Sequence, residues 1–180
     1  MRREHFASYT PGQDGPWDAK TAAHLLRRAG FGATRAEIDQ AVDKGLEAAV
    51  EDLFDDAETQ EAEFADTFGR ISGSFVDFAD AGQLQAWWCY RMMHSRTPLR
   101  EKLTLFWHGH FATSVNKVED SYPMHLQNET LRKHAWGNFR ELVLAITKDP
   151  AMLVYLDGEA NTKEHPNENF AREVMELFTV

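Results

Sequence analysis

Apolar residues along this chain recur mainly every three to four positions, which is the spacing of one face of an α-helix. Residues 18–29 illustrate the pattern, with four apolar side chains on one side: Ala22, Leu25, Leu26 and Ala29. No stretch keeps the apolar-polar alternation, closed by hairpin turns, that is typical of a half-buried strand. The pattern therefore predicts an all-α fold, an irregular multi-helix bundle of short and medium helices.

Capping residues and helix breakers divide this pattern into elements. Capping boxes, or a cap followed by proline, mark several helix starts, and glycine marks several ends. Together they predict helices over 18–29, 34–43, 46–54, 83–94, 98–112, 121–136, 139–147, 151–156 and 166–179. Residues 1–17 are predicted as an irregular arm and residues 18–180 as one helical domain. Within that domain, residues 55–81 are predicted as an acidic, loosely structured connection that is partly helical.

The last predicted helix has an unusual end. It stops at Leu177-Phe178-Thr179-Val180 without a glycine, a basic last turn or trailing polar residues. An apolar stripe that stops in this way needs a partner. The sequence therefore predicts a fragment of a larger helical protein, truncated at the C-terminal end.

The charged residues are unevenly distributed along the chain. The chain carries a net charge of −10, and residues 37–66 hold twelve acidic residues and one basic residue. Between Arg91 and Lys148 there are nine basic residues, five acidic residues and five histidines. The acidic block argues against binding to nucleic acid and is typical of a solvated face or loop. The basic middle leaves room for an anionic small ligand.

Targeting signals are not apparent in the sequence. No apolar run approaches the roughly 20 residues that are needed to cross a bilayer. The basic start, Met1 to His5, is not followed by an apolar core, so a cytoplasmic location without membrane contact follows by default. The single Cys89 excludes an internal disulfide, and its aromatic neighbours predict a buried, inert thiol.

His108 and His110 form the densest imidazole cluster, near the end of the predicted 98–112 helix. On a strand, residues two apart share a face and can bind one metal ion. On a helix with 3.6 residues per turn they lie about 200° apart and cannot do so. The pair binds one ion only if the helix ends before His108, which Gly109 makes possible.

The helical alternative places the two histidines on different faces. His110 then lies in an apolar stripe with Phe106 and is most simply a buried histidine bonded to a polar neighbour. His108 lies opposite, beside Glu101 and Thr104. If the stripe faces the core, Phe106→Ala should cost about 3–5 kcal/mol of stability. Histidine is also the residue best suited to act as a general base at neutral pH.

The final predicted helix carries a dense charged face. Glu168, Arg172 and Glu176 follow one another at four-residue spacing, with Asn169 and Glu173 on a neighbouring ridge. One interpretation is an exposed ladder of ion pairs, each worth about 0.2–0.5 kcal/mol. The other is an inward-facing site in which carboxylates act as acid and base or bind a divalent ion.

The polar loop before this helix is a candidate ligand-binding segment. Asn161, Asn167 and Asn169 lie at or just before a helix N-terminus, which offers free N–H groups and partial positive charge to an anion. Asn167 is equally explained as a helix cap. The sequence contains no nucleophile elbow, no phosphate-binding glycine loop and no dinucleotide fingerprint.

Several long motifs resemble one known family. The chain is similar to the bacterial "domain of unknown function 1800" family in HLLRRAGFG, PLREKLTLFWHGHFATS, LRKHAWGNFRELVLAITKDPAMLVYLDG and NENFAREVMELFT. This likeness extends from about His24 to Val180, apart from the acidic connection. The positions that match the family signature are Trp107, His108, His110, Asp149, Pro150, Asp157, Asn161, Asn167, Glu168, Asn169, Arg172, Glu173 and Glu176.

The resemblance implies little about activity. The family is uncharacterised and gives none of these positions an established role. Its members are longer and continue past the final motif into a further helical half, which agrees with the predicted truncation. Their genes often lie beside a sulfatase-like family, which implies a sulfatase-like partner protein.

Two functional hypotheses follow from the sequence. The first is a hydrolase-like enzyme with a site between the 98–112 and 166–179 helices; its candidate catalytic residues are His108, His110, Glu168, Arg172 and Glu173. A divalent metal would have four candidate ligands: His108, His110, Glu173 and Glu176. The second hypothesis is a non-catalytic helical binding or scaffold module that acts with a partner protein. The enzyme hypothesis requires an imidazole within about 4–6 Å of a carboxylate in a pocket.

Overall fold

The computed structural model of the chain describes residues 8–54 and 58–179, and every regular element in these ranges is helical. The helices are α1 (Ala19–Ala29), α2 (Arg35–Lys44), α3 (Leu46–Phe54), α4 (Glu58–Phe75), α5 (Ala81–His94), α6 (Pro98–His110), α7 (Val115–Val118), α8 (Ser121–Lys133), α9 (Phe139–Ile146), α10 (Pro150–Tyr155) and α11 (Asn169–Glu173). A 3₁₀ turn spans Gly158–Ala160, and a π-helical turn spans Val174–Phe178. The all-α prediction is confirmed.

Side-chain caps explain where most of the helices begin. Asp18 and Thr34 form complete capping boxes at α1 and α2, as the sequence predicts for the second. Asn138 and Asp149 accept backbone N–H groups at the starts of α9 and α10. Gly45, which ends α2, has a φ of +86°, a value that favours glycine.

Helix α4 lies within the connection over residues 55–81, which the sequence predicts to be partly helical and partly loose. The 18-residue helix occupies most of that stretch, although residues 55–57 lie outside the described part of the chain. Phe64 and Phe68, four residues apart, stack on each other, and Phe68 stacks on Trp87 of α5. Tertiary packing of one aromatic face therefore supports a helix in this strongly acidic stretch.

Other predicted boundaries are shifted. The final helix begins at Asn169 rather than at 166, and α8 ends at Lys133 rather than at 136. Cys89 is exposed, so the predicted burial of its thiol is wrong. The part of the predicted arm that is described, residues 8–17, is irregular, while residues 1–7 and Val180 lie outside the described ranges.

Helix α8 lies at the centre of the fold, in contact with α5, α6, α7, α9 and α10. The main apolar cluster joins α8 and its neighbours and consists of Phe111, Leu131, Leu142, Ile146, Met152 and Phe178. A second cluster packs α1, α2 and α3 around small residues: Ala22, Ala41 and Ala49. In the described ranges, no helix has both the length and the apolar character that a membrane crossing requires.

The buried face of α6 is polar. Glu101 and Thr104 are fully buried, whereas Phe106 is 57% exposed. This corrects the prediction that the stripe containing Phe106 faces the core, and with it the expected cost of Phe106→Ala. The reason is that Glu101 accepts hydrogen bonds from Arg91 on α5 and Arg132 on α8, so an ion-pair cluster determines which face of α6 turns inward.

The Glu101 cluster is a three-residue network with short contacts. Glu101 Oε1 accepts from Arg91 Nε at 2.9 Å and from Arg132 Nε at 2.6 Å. Its Oε2 accepts from Arg132 Nη2 at 3.0 Å. Burial by itself raises the pKa of Glu101, but the hydrogen bonds and charges of the two arginines outweigh that effect and hold the pKa below its ordinary value.

We predict that Glu101→Gln destabilises the domain by about 3–5 kcal/mol, because it removes the fully buried carboxylate that balances the charges of Arg91 and Arg132 in the interior. Glu129 also pairs with Arg132 but is 46% exposed, so the matched control Glu129→Gln should cost less than about 1 kcal/mol. Because the folded-state pKa of Glu101 is lowered, its contribution to stability is present above its unfolded pKa of about 4.5 and is lost as the pH falls below it. Urea unfolding over a pH series measures the free energy of unfolding of both variants and its dependence on pH. An equal loss of stability in Glu101→Gln and Glu129→Gln would mean that the buried Glu101 cluster does not stabilise the fold.

We also predict that Phe111→Ala costs about 3–5 kcal/mol, because Phe111 is fully buried in the main apolar cluster. Phe106→Ala on the same stretch should cost less than about 1 kcal/mol, because its ring is more than half exposed. Thermal melting of the two variants provides the comparison. A larger loss of stability for Phe106→Ala would mean that α6 presents the other face to the core.

Candidate functional site

A cavity of about 370 Å³ lies among α5, α6, α7 and α8, and His108 is part of its wall. We call it the His108 cavity. Its other lining residues are Ala81, Leu84, Gln85, Trp88, Thr113, Ser114, Val115, Ser121, Met124 and Asn128. A volume of this size is within the range of small-molecule sites, and the wall mixes apolar side chains with a few polar groups, as such sites usually do.

His108 enters this cavity because the polar face of α6 is the inward one. It follows Thr104 by four residues and Glu101 by seven, so all three share a helix face. Its ring lies against Trp88, with 5.1 Å between the ring centroids. Burial lowers the pKa of His108 below its ordinary value of 6.5, so the imidazole is neutral at pH 7. A neutral imidazole can accept a proton from water or from a bound hydroxyl group.

Two side chains of the same wall carry buried donors without acceptors. Within the described ranges, neither Asn128 Nδ2 nor Trp88 Nε1 has a hydrogen-bond partner. Asn128 Oδ1 accepts from Arg132 Nη2 at 2.6 Å, which fixes the amide and leaves Nδ2 as the unmatched end. An unsatisfied buried donor costs about 1–3 kcal/mol, so such groups need an explanation.

A buried hydrogen-bond chain runs from the cavity wall to the start of α10. The Thr113 hydroxyl donates to Gln127 Oε1 at 2.6 Å, and Gln127 Nε2 donates to Asp149 Oδ1 at 2.9 Å. Asp149 Oδ1 also accepts the backbone N–H of Met152. Burial raises the pKa of Asp149 despite these hydrogen bonds, and the chain holds Thr113 in place beside the cavity.

His110 lies on a different face of α6 from His108. Its Nε2 donates to the carbonyl oxygen of Phe178 at 2.9 Å, and its ring packs edge-on against Trp107 and Phe111. His110 therefore fastens the last described turn to α6. It is bonded to a polar neighbour, as the helical alternative predicts, but its side chain is half-buried rather than buried. Because α6 continues to His110, the two histidines cannot bind one ion together.

The charged residues of the final segment lie near the surface. Arg172 Nη1 is 4.0 Å from Glu168 Oε1, and the two side chains are 46% and 85% exposed. Glu173 is half-buried and Glu176 is exposed. Arg172 Nη2 donates to Asn169 Oδ1 at 3.0 Å. None of these residues is among those that line the His108 cavity, so its wall does not hold the pair of an imidazole and a carboxylate that the sequence analysis requires of an enzyme.

The three predicted ligand-binding asparagines are close together and make local contacts. Asn161 Oδ1 accepts the backbone N–H of Asn167 at 3.0 Å, and Asn167 Oδ1 accepts that of Asn169 at 2.9 Å. Asn167 Nδ2 donates to the carbonyl oxygen of Asp157 at 2.6 Å. These bonds shape the loop before α11, whose N-cap residue is Glu168 rather than the predicted Asn167.

The described residues contain no group of three or more His, Cys, Asp or Glu side chains that could hold a metal ion. The candidate ligands His108 and His110 lie on separate faces of α6, and Glu176 is exposed. The catalytic, ligand-binding and metal roles that the sequence suggests for these residues stay predictions.

A larger cleft of about 760 Å³ lies beside the glycine-containing segment 30–32, among α1, α2, α3 and the start of α6. Two of its charged residues, Lys44 and Asp52, pair with each other. None of the buried unpartnered atoms found in the described residues belongs to its wall. The His108 cavity, although smaller, is therefore the better candidate site.

Sequence reasoning missed the two residues with unmatched donors. Trp88 resembles a core aromatic, and it is partly buried. Asn128 leaves a clearer signal, because it lies between Met124 and Leu131 at spacings of four and three residues, on the apolar face of α8. A polar residue on such a face needs a partner or a function.

Comparison with known proteins identifies a family but not an activity. The sequence model of the family described as "Protein of unknown function (DUF1800)" matches residues 24–180. No curated protein and no solved structure gives a significant match. The family match covers most of the sequence, including the residues of the His108 cavity and the final helical segment. The chain therefore belongs to the DUF1800 family of proteins of unknown function.

Proposed function

We propose that this domain is a hydrolase-like enzyme in which His108 is the general base. The observation that carries the proposal is a neutral, partly buried imidazole in the wall of a cavity large enough for a small substrate. Burial keeps the ring unprotonated at pH 7, so its lone pair is available to accept a proton.

The reaction that suits this arrangement is attack of water on a bound substrate. His108 takes a proton from the water molecule while the water oxygen forms a bond to the electrophilic atom of the substrate. The imidazolium ion then returns the proton to the leaving group as the scissile bond breaks. The apolar wall, which includes Leu84 and Met124, excludes competing water from the reacting atoms.

The final helical segment supplies a second set of candidates. Glu168 or Glu173 would act as the acid and Arg172 as an anion clamp, with Asn161, Asn167 and Asn169 binding the substrate. Their partial exposure and their absence from the cavity wall give this set less support than His108 has. Variants at these positions decide whether they take part.

We predict that His108→Gln lowers the rate of hydrolysis of a simple activated ester such as p-nitrophenyl acetate by about 10²–10⁴-fold, because general bases contribute about that factor. His24→Gln, on the exposed side of α1, is the matched control and should leave the rate unchanged. Because burial lowers the pKa of His108, activity should persist as the pH falls below about 6.5 and be lost only further down.

Equal rates for the His108 and His24 variants would overturn the proposal. The same assay on Glu168→Gln, Arg172→Gln and Glu173→Gln tests the acid and the anion clamp. A loss confined to these three variants would move the site to the final helical segment.

A helical binding or scaffold module is the second candidate function, and an exposed apolar surface favours it. Phe106 is 57% exposed and Phe139 is 40% exposed, and both rings lie beside Trp107, at centroid distances of 4.9 and 5.6 Å. Exposed contiguous aromatic rings are typical of surfaces that contact another protein. A sulfatase-like protein is the partner that the family resemblance implies.

If the domain acts as a scaffold, co-expression with a sulfatase-like protein should give a complex that survives gel filtration. Phe106→Glu should prevent formation of this complex, because it introduces a charge into the apolar surface. The exposed control Glu141→Gln should leave the complex intact. A complex that is unaffected by Phe106→Glu would place the contact elsewhere.

A further inference from the structure

Helix α4 carries an apolar stripe that the fold covers only in part. The stripe repeats at spacings of four, three and four residues and consists of Phe64, Phe68, Ile71 and Phe75. Phe68 is buried against α5, whereas Ile71 is 55% exposed and Phe75 is 82% exposed. The second half of the stripe therefore remains available to another apolar surface.

Helix α5 presents a second exposed stripe beside the first. Four exposed residues occupy positions i, i+3, i+4 and i+7 of this helix: Ala86, Cys89, Tyr90 and Met93. Tyr90 joins the two stripes, because its ring stacks on Phe68 with 5.3 Å between the centroids and is still 48% exposed. We call the exposed members of both stripes the α4–α5 surface; they are Ile71, Phe75, Ala86, Cys89, Tyr90 and Met93.

The charge around the α4–α5 surface is mostly negative. Residues 58–80, which comprise α4 and its connection to α5, carry six acidic residues and one basic residue. The basic residue, Arg70, pairs with Asp66 of the same helix. Arg91 of α5 is turned inward to Glu101, so it does not offset the acidic charge at the surface. An apolar surface with an acidic rim is complementary to an apolar surface with a basic rim.

The shape of this surface favours a helix as the partner element. Both stripes repeat every three to four residues, and the side chains of a helix pack into the grooves between such ridges. The α5 stripe from Ala86 to Met93 rises by about 10 Å, which a helix of about two to four turns covers. Apolar anchors at helical spacing are also the usual means by which one helix docks on another protein.

We propose that the α4–α5 surface binds a basic amphipathic helix of a partner protein, whose apolar stripe covers Ile71, Phe75 and Tyr90 and whose Lys or Arg side chains face the acidic residues of α4. The acidic rim repels nucleic acid and anionic membranes. Within the described ranges, the helix with the most basic residues, α1, already uses its apolar side against α2 and α3, so a second copy of this chain is not the occupant.

This surface is distinct from the two sites proposed above. None of its residues lines the His108 cavity, to which α5 contributes Leu84 and Trp88 from another face. It also excludes the rings of Phe106 and Phe139. The inference therefore goes beyond the proposed function and does not depend on hydrolysis.

The experiment uses a synthetic capped peptide of about 14 Leu and Lys residues, arranged so that its helix has one apolar and one basic face. Cys89 is the single cysteine of the chain and part of the surface, so its rate of alkylation by N-ethylmaleimide reports whether the surface is covered. We expect a Kd of about 1–50 μM, and at about ten times that concentration the alkylation should slow about tenfold, because about nine-tenths of the protein is then bound.

Two control peptides separate the contribution of charge from that of the apolar face. The same peptide with Glu in place of Lys should bind at least about tenfold more weakly, because its charge has the sign of the rim. A peptide of the same composition, shuffled so that no apolar face forms, should also bind at least about tenfold more weakly.

Two variants test the place of contact by isothermal titration calorimetry. Phe75→Asp should weaken peptide binding at least about tenfold, and because its ring is 82% exposed the melting temperature should stay within a few degrees. Leu144→Asp adds the same charge at an exposed apolar position of α9 and should leave binding unchanged. The added negative charge attracts a basic peptide in both variants, so a loss in Phe75→Asp alone reports the apolar contact.

Several results would overturn the inference. Alkylation of Cys89 that the amphipathic peptide does not slow means that the surface does not bind such a helix. Equal binding of the amphipathic and shuffled peptides means that acidic charge alone attracts them, and unchanged binding by Phe75→Asp places the contact elsewhere. Alkylation that slows with rising protein concentration, without peptide, identifies a second copy as the occupant. Protection of Cys89 by phosphatidylcholine vesicles, but not by the peptide, identifies a lipid surface instead.

Discussion

The structure depends on one buried carboxylate. Glu101 is fully inside the protein and is compensated there by Arg91 and Arg132, so α5, α6 and α8 must approach one another at the places where these residues lie. Hydrophobic packing is tolerant of sliding and rotation, whereas a buried ion pair is not, because a misplaced partner leaves a charge unmatched. The Glu101 cluster therefore fixes the orientation of α6 in a way that its apolar residues do not.

This orientation has two consequences for function. On the inner side, it directs His108 into a cavity and, through Arg132, holds the amide of Asn128 in one orientation. On the outer side, it exposes the aromatic ring of Phe106 beside Trp107. The proposed catalytic site and the proposed contact surface are thus two faces of one helix, which the same ion-pair cluster orients.

The end of the chain is attached to α6 by a different residue. His110 donates a hydrogen bond to the carbonyl oxygen of Phe178, whose ring is buried in the main apolar cluster. The π-helical turn Val174–Phe178 therefore ends against the core, while the charged residues before it remain near the surface. The two histidines of one motif consequently have separate roles, one in a cavity wall and one in fastening the last turn.

The sequence by itself determined the fold class, most helix positions and the family, because helical periodicity, capping residues and long motifs are local features. It also showed that a helical His108 and His110 must face different sides, which the structure confirms. It did not determine which face of α6 is buried, because that depends on Arg91 and Arg132, ten and thirty-one residues away from Glu101. For the same reason, only the tertiary structure brought Trp88, His108 and Asn128, from three helices, to one cavity.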